Sequence, residues 1–265
     1  MTLPTLFVPH GAPTFALRPG AAGAALRQIA ANLPTPRAIV IVSPHWDTAD
    51  AVVGTAARPQ TIHDFWGFPE ELYTLSYPAT GCASAARDVA AALAAAGLAV
   101  MEDSGRGLDH GAWVPLRLMF PEADVPVIPL SVQSAGGPAQ ALHLGQALAG
   151  LPAQGFLVIG TGSLTHNLGD YQIASARSGQ TPAYVREFAD WLAARIANQD
   201  AAALLDYRRQ APHAVRAHPS EEHLLPLLVA LGAAGPTAHG ERVFAGIDDY
   251  VIAMDAYAFT PAPRH

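Results

Sequence analysis

The sequence predicts an α/β fold: a mainly parallel central sheet covered by helices on both faces, an α/β/α sandwich in a single domain. Three observations predict it. Short runs rich in Val, Ile and Leu recur along the chain, as strands buried on both faces do. Ala- and Leu-rich stretches with helical spacing alternate with them, the pattern of a parallel sheet under helical cover. No internal repeat, charge block or linker-like change of composition divides the 265 residues, so 1–265 reads as one domain with ample length for a core.

Taken in order, Thr5–Pro9 is the first strand, ended by the glycine after His10. Ala21–Leu33 follows as a helix whose small residues permit close approach to the sheet. Ala38–Ser43 is an unbroken apolar strand stopped by Pro44, and Ala51–Gly54 is a short one. Pro59–Pro78, with Trp66-Gly-Phe-Pro, reads as a long aromatic loop of the kind that forms active-site walls. Helices Ala83–Ala96, Trp113–Met119 and Gln140–Leu148 then alternate with strands Ala99–Glu102, Val125–Ser131 and Phe156–Gly160. The later third changes character. Pro182–Ala197, Ala201–Arg208 and Pro219–Leu231 are helical, and Glu241–Ala245 and Val251–Phe259 are closing strands, the last partly alternating.

Composition excludes several classes. A hydrophobic content of 51% with 14% charged residues excludes a disordered chain. The net charge of −7 leaves no basic footprint for nucleic acid. The single Cys82 cannot form an internal disulfide or a thiolate cluster. Met1-Thr-Leu-Pro-Thr-Leu-Phe carries no cationic segment before an apolar stretch, and no apolar run reaches about 18 residues. A soluble cytoplasmic protein is the expectation.

Histidine carries the functional signal. His10, His45 and His166 each come just after an apolar run read as a buried strand, in Leu6-Phe-Val-Pro-His10, Ile39-Val-Ile-Val-Ser-Pro-His45 and Phe156-Leu-Val-Ile-Gly-Thr-Gly-Ser-Leu-Thr-His166. Open α/β sheets bind ligands at the carboxyl ends of their strands, so the fold can bring the three together. His110 lies beside Asp109, a candidate to orient an imidazole. His223 falls in the first turn of a helix that Ser220 is expected to cap, with Glu222 the rival first-turn ligand. His218 precedes Pro219 and lies outside that helix. Imidazole is the commonest metal ligand and titrates near neutrality, so these residues predict one metal-dependent site. His63 suits loop hydrogen bonding or substrate contact equally. His143, His213, His239 and His265 read as solvated. Gly160-Thr-Gly162-Ser-Leu-Thr165 lacks the third glycine of a dinucleotide loop. Ser163 is in no Gly-x-Ser-x-Gly elbow, which speaks against a serine hydrolase.

At these residues the sequence resembles the class III extradiol ring-cleavage dioxygenases, in the branch of the 4,5-DOPA extradiol dioxygenases. The resemblance is carried by Phe7-Val-Pro-His10-Gly11-Ala-Pro-Thr, Ser43-Pro-His45-Trp46, Thr61-Ile-His63-Asp64-Phe65-x-Gly67-Phe68-Pro69, Leu108-Asp109-His110-Gly111-x-Trp113, Gly162-Ser-Leu-Thr-His166-Asn167-Leu168 and Glu222-His223-Leu-Leu-Pro. All six run in family order. The resemblance implies one non-haem metal, with His10 and His45 as ligands and His223 in the third place. It implies His166 as second-sphere acid/base, although in some zinc-loaded relatives the matching histidine is a ligand. His110 would touch substrate or dioxygen. His63 and Trp113 are candidate substrate contacts, and Trp46, Phe65 and Trp66 candidate pocket walls. The protocatechuate-type branch uses two His and one Glu, the facial triad of Fe(II) oxygenases. Three histidines here, unless Glu222 is the third ligand, also suit Zn(II).

The expected activity is Fe(II)-dependent extradiol cleavage of a catechol by O₂ to a muconic semialdehyde. A zinc hydrolase using a metal-bound water, or a non-catalytic metal-binding protein, are the alternatives. The joint presence of His166 and His110 favours catalysis.

Overall fold

The computed structural model describes residues 2–176 and 180–261. The strands are β1 (Thr5–Pro9), β2 (Ala38–Asp47), β3 (Ala51–Gly54), β4 (Val100–Asp103), β5 (Val127–Val132), β6 (Phe156–Gly162), β7 (His239–Phe244), β8 (Ile247–Asp248), β9 (Ile252–Ala253) and β10 (Ala256–Thr260). Eight of them form one sheet in the order β4-β3-β5-β2-β6-β1-β10-β7, while β8 and β9 pair apart. The middle of the sheet, β5-β2-β6-β1, is parallel throughout. Every residue of β1, β5 and β6 is buried, which is why these strands read as continuous apolar runs. Antiparallel pairs flank this centre, at β3 with β5 and at β10 with both β1 and β7.

Helices cover both faces. Gly137–Ala147 and Leu225–Ala234 pack on each other, and the second of them lies on β6 and β1. Gly20–Ala31 and His110–Met119 pair on the opposite face, over β2 and β6. The small-residue content of the helices serves the first contact above all. A Cβ at Gly145 would stand 2.2 Å from the Val229 carbonyl, and one at Gly232 would stand 2.5 Å from that of Leu142. Among the described residues no helix is long and apolar enough to cross a membrane.

Several expected elements differ. Pro44 does not stop β2, which runs on to Asp47, and the Pro59–Pro78 loop contains a short helix, Glu70–Thr74. The helix expected from Pro219 starts at Leu225, and Ser220 bonds the Glu222 carboxylate (3.1 Å) instead of capping it. Pro226 is the cause: it has no N–H to donate and is tolerated only in a first turn. The helix expected from Trp113 starts three residues earlier at His110, because Asp109 caps it by accepting from Ala112 N. Ala201–Arg208 divides into Ala201–Leu205 and Tyr207–Gln210. Val251–Phe259 divides into β9 and β10. Helix Leu168–Ala176 escaped the sequence reading; its first residues flank the site.

Candidate metal centre

The sheet order places the carboxyl ends of β2, β6 and β1 side by side, and three histidines lie there. His10 follows β1, its amide donating to the Gly162 carbonyl at the end of β6 (3.3 Å). In β2 the register with β5 shifts between Val42 and Asp47, so Ser43–Trp46 leave the regular ladder and carry His45 over the sheet end. His166 lies just beyond β6. His110 heads the helix that packs over β2.

His223 arrives from the turn ahead of helix Leu225–Ala234, and backbone contacts fix it. Its carbonyl accepts from Ser163 N (3.1 Å), and a Cβ at Gly162 would meet that same carbonyl at 2.1 Å. Alanine at 162 therefore displaces the His223 turn. The Gly162→Ala protein is expected to lose about 1–3 kcal/mol of stability, as overpacked sites do, and to bind metal more weakly; thermal melts and metal titration measure both.

Five imidazoles converge. Ring centroids lie 5.1 Å apart for His10 and His45, 4.1 Å for His45 and His110, 5.3 Å for His10 and His223, and 5.0 Å for His45 and His223. His166 stacks on His223 at 3.4 Å with planes 7° apart. His10, His45 and His110 bring their ring nitrogens within 4.8 Å of one another, as do His166, Glu222 and His223 their donor atoms. Burial, reinforced by the neighbouring imidazoles, pushes His10 and His223 well below the usual imidazole range. Burial with the His110 ring beside it takes His45 to about 3, and burial takes His166 to about 4. These four are neutral at pH 7, so their lone pairs are available to a cation.

The donor set fits a metal ion. His10 Nε2 and His45 Nε2 face each other at 3.3 Å. Two imidazole nitrogens bound to one ion at about 2.0–2.1 Å and near a tetrahedral angle stand roughly that far apart. The buried His223 Nε2 has no hydrogen-bond partner, and neither has His10 Nδ1. Glu222 Oε1 lies 2.9 Å from His223 Nδ1, so the Nδ1–H donates there and Nε2 is left with its lone pair.

Carboxylates hold the surrounding frame, and Asp109 is not the one that orients an imidazole. Asp109 does not orient His110. It caps the helix, accepts from Ser43 Oγ (2.6 Å) and pairs with Arg106 (2.5 Å), whose guanidinium lies over the Trp46 ring. Asp64 is the orienting group. Its carboxylate accepts from the His110 amide (2.8 Å) and from His110 Nδ1 (2.9 Å), which directs Nε2 elsewhere. Burial opposes the charge on Asp64, but those His110 bonds outweigh it and hold the carboxyl at about 2. A bridge between Thr61 and Leu108 brings the aromatic loop to this point. Asp64 lies inside the Thr61–Pro69 motif; only the fold reveals its partner.

A cavity of about 400 Å³ lies over the histidines, with His10, His45, His110, His166, Glu222 and His223 in its floor and walls. Phe65 and Trp66 line it as expected of walls. His63 and Trp113 do not line it, which corrects their reading as substrate contacts. Trp113 is wholly buried and donates its Nε1–H to the Ile62 carbonyl (3.0 Å). His63 donates to the Leu75 carbonyl (3.1 Å) and lies edge-on behind Phe65. Trp46 is buried under Arg106 and is not in the lining either. His218 is buried apart, bonded to the Leu164 carbonyl (2.8 Å). His143, His213 and His239 are exposed, and His265 lies outside the described residues.

Comparison with known proteins agrees with this geometry. Residues 20–253 match the family model described as the catalytic LigB subunit of aromatic ring-opening dioxygenase. The chain is 38% identical over 260 residues to a 4,5-DOPA dioxygenase extradiol of Beta vulgaris, covering 97% of this chain and 96% of that one. It is 33% identical to a 4,5-DOPA dioxygenase extradiol of Escherichia coli, covering 87% and 85%. The solved structure of an uncharacterized Escherichia coli protein superposes with a TM-score of 0.77 at 27% identity, over 97% of this chain and 99% of that one. A chain that gathers five imidazoles at the carboxyl edge of its sheet, and is so matched along nearly all its length, belongs to the LigB family of aromatic ring-opening dioxygenases.

Proposed function

We propose that the chain cleaves the ring of a small catechol extradiol to a hydroxylated carbon pair, with His10, His45 and His223 holding Fe(II). The observation that carries this reading is the facing pair of neutral His10 and His45 nitrogens at 3.3 Å, beside the unpartnered Nε2 of His223. Glu222 is engaged with His223 Nδ1, which favours the histidine over the glutamate as third ligand. Bound iron(II) acidifies the catechol hydroxyls and couples the ring electronically to O₂.

The chain's own residues do the rest. His166, neutral and lining the cavity, accepts a catechol hydroxyl proton and later returns it. His110, with Nδ1–H committed to Asp64, presents Nε2 to substrate or dioxygen. Phe65, supported from behind by His63, is a wall for the ring. Holding both reactants in one cavity removes much of the orientation cost. Both atoms of O₂ enter the product, a muconic semialdehyde, and no external reductant is needed.

The all-imidazole donor set supports a second reading, Zn(II) with a metal-bound water for hydrolysis. Anaerobic reconstitution with Fe(II), then air and a catechol panel, separates the two. Iron-dependent O₂ uptake with a yellow semialdehyde band is the expected result, with the Zn(II) protein inactive. Stoichiometric metal without O₂ uptake on any catechol would shift the assignment to hydrolase or binding protein.

A further inference from the structure

The cavity that holds the histidines carries a charge pattern that narrows its substrate. The chain has no lysine, so every side-chain cation besides histidine is one of fifteen arginines. Among the described residues no arginine lines the cavity. Arg106, just before His110, is turned to Asp109 and stacked on Trp46. Arg216 pairs with Asp170 and lies over Tyr184. The lining does contain two carboxylates, Asp64 and Glu222, and the protein as a whole carries a net charge of −7.

The remaining wall is apolar. From His110 an aromatic path runs outward through Phe65 (5.7 Å, edge-on) to Phe68 (5.5 Å, edge-on). Leu168, Tyr171 and Ile252 continue the lining, and Trp66 stands beside them 85% exposed. An indole so exposed at the rim of a cavity offers an uncovered face to a ligand, and an aromatic face attracts a cation and gives an anion nothing.

We infer that the substituent on the catechol ring is uncharged or cationic, and that the site discriminates against a side-chain carboxylate. The inference rests on the ring-cleavage reading and deepens it. The two catechol oxygens answer the charge of the metal, so a carboxylate farther out meets aromatic faces, Asp64 and Glu222, with no arginine partner among the described residues. Leaving an anion unpaired in such a place costs affinity. The relatives' names contain DOPA, whose side chain bears both charges; for this chain dopamine is the better substrate of the two.

Three catechols with two-carbon substituents test it: dopamine, 4-ethylcatechol and 3,4-dihydroxyphenylacetate. The iron-loaded enzyme gives kcat/KM by O₂ uptake, and the zinc-loaded protein gives Kd by quenching of tryptophan fluorescence. The acid is expected to be worse by about 10-fold or more in both, equivalent to ~1.4 kcal/mol, with the loss in KM rather than kcat. An acid that binds and reacts as well as its neutral partner overturns the inference. Absence of turnover on all three sinks the ring-cleavage reading alone, and the order of Kd values still decides this one. Leu168→Arg, at an exposed rim position, should shrink or invert the gap. A gap that this variant leaves unchanged would mean that the rim charge does not set it, and would also overturn the inference.

Discussion

The His10→Ala protein is expected to fold and to retain no stoichiometric metal. His10 is 1% exposed and sits at the centre of the cluster, within 5.1–5.4 Å, ring to ring, of His45, His110 and His223. Its removal takes away one of the two facing nitrogens and leaves His45 Nε2 without its partner. It does not endanger the fold. The imidazole is one that burial already disfavours in charged form, and its Nδ1 has no hydrogen bond to lose. Substituting the partner that orients a ligand typically costs 10–100-fold in metal affinity, so loss of a ligand itself should cost more than about 100-fold. Metal analysis after dialysis, with a thermal melt as the fold control, measures both. His45→Ala should behave alike. A His10→Ala protein that keeps one equivalent would place His10 outside the coordinating set and leave His45, His110 and His223 as its members.

His166→Gln has the second large effect, and of a different kind. The variant should keep its metal and lose turnover by about 10²–10⁴-fold, the usual scale of a general acid/base. His166 lies parallel to His223 at 3.4 Å, ring over ring, so its nitrogens stand beside those of His223 rather than opposite them. Burial holds it unprotonated at neutral pH, the state in which it can accept a proton. Glutamine fills similar space and hydrogen-bonds, but cannot carry a proton back and forth. Metal content and single-turnover rate, measured on the same preparation, separate the roles. Metal lost together with activity would make His166 a ligand.

The two outcomes read together give a division of labour among five similar side chains. All five share one cavity, and what distinguishes them is the partner each has on its other nitrogen. His110 has Asp64 and His223 has Glu222, both on Nδ1, whereas His10 Nδ1 has no partner and His10 faces His45 through Nε2. Those partners come from the aromatic loop, the turn before helix Leu225–Ala234, and the ends of β1 and β2, none of them neighbours in sequence.

Much of the molecule is legible in its sequence. β1 and β3 match their expected bounds, and β4 lies within one residue, because a short Val/Ile/Leu run between turn residues has few other ways to bury itself. His10, His45 and His166 were readable as neighbours because parallel strands direct their carboxyl ends to one edge. The polar string Ser220-Glu221-Glu222 looks like a helix start, but Pro226 fits only a first turn and the helix begins at Leu225. Trp113 and His63 were misjudged because a motif places residues near a site without saying which way they face. Trp113 turns into the core through its bond to Ile62.

Hydrophobic period and strand direction are local properties of the chain, so the layered sheet and the edge at which the histidines meet are legible in them, while the chemistry is what the resemblance of the six motifs implies. Packing settles the rest: the facing of His10 and His45, Asp64 rather than Asp109 as the group that orients His110, and the absence of any described arginine from the cavity wall. The pairing of His110 with Asp64 joins segments 46 residues apart and that of His10 with His45 joins segments 35 apart. Contacts of that range follow from packing and not from local pattern.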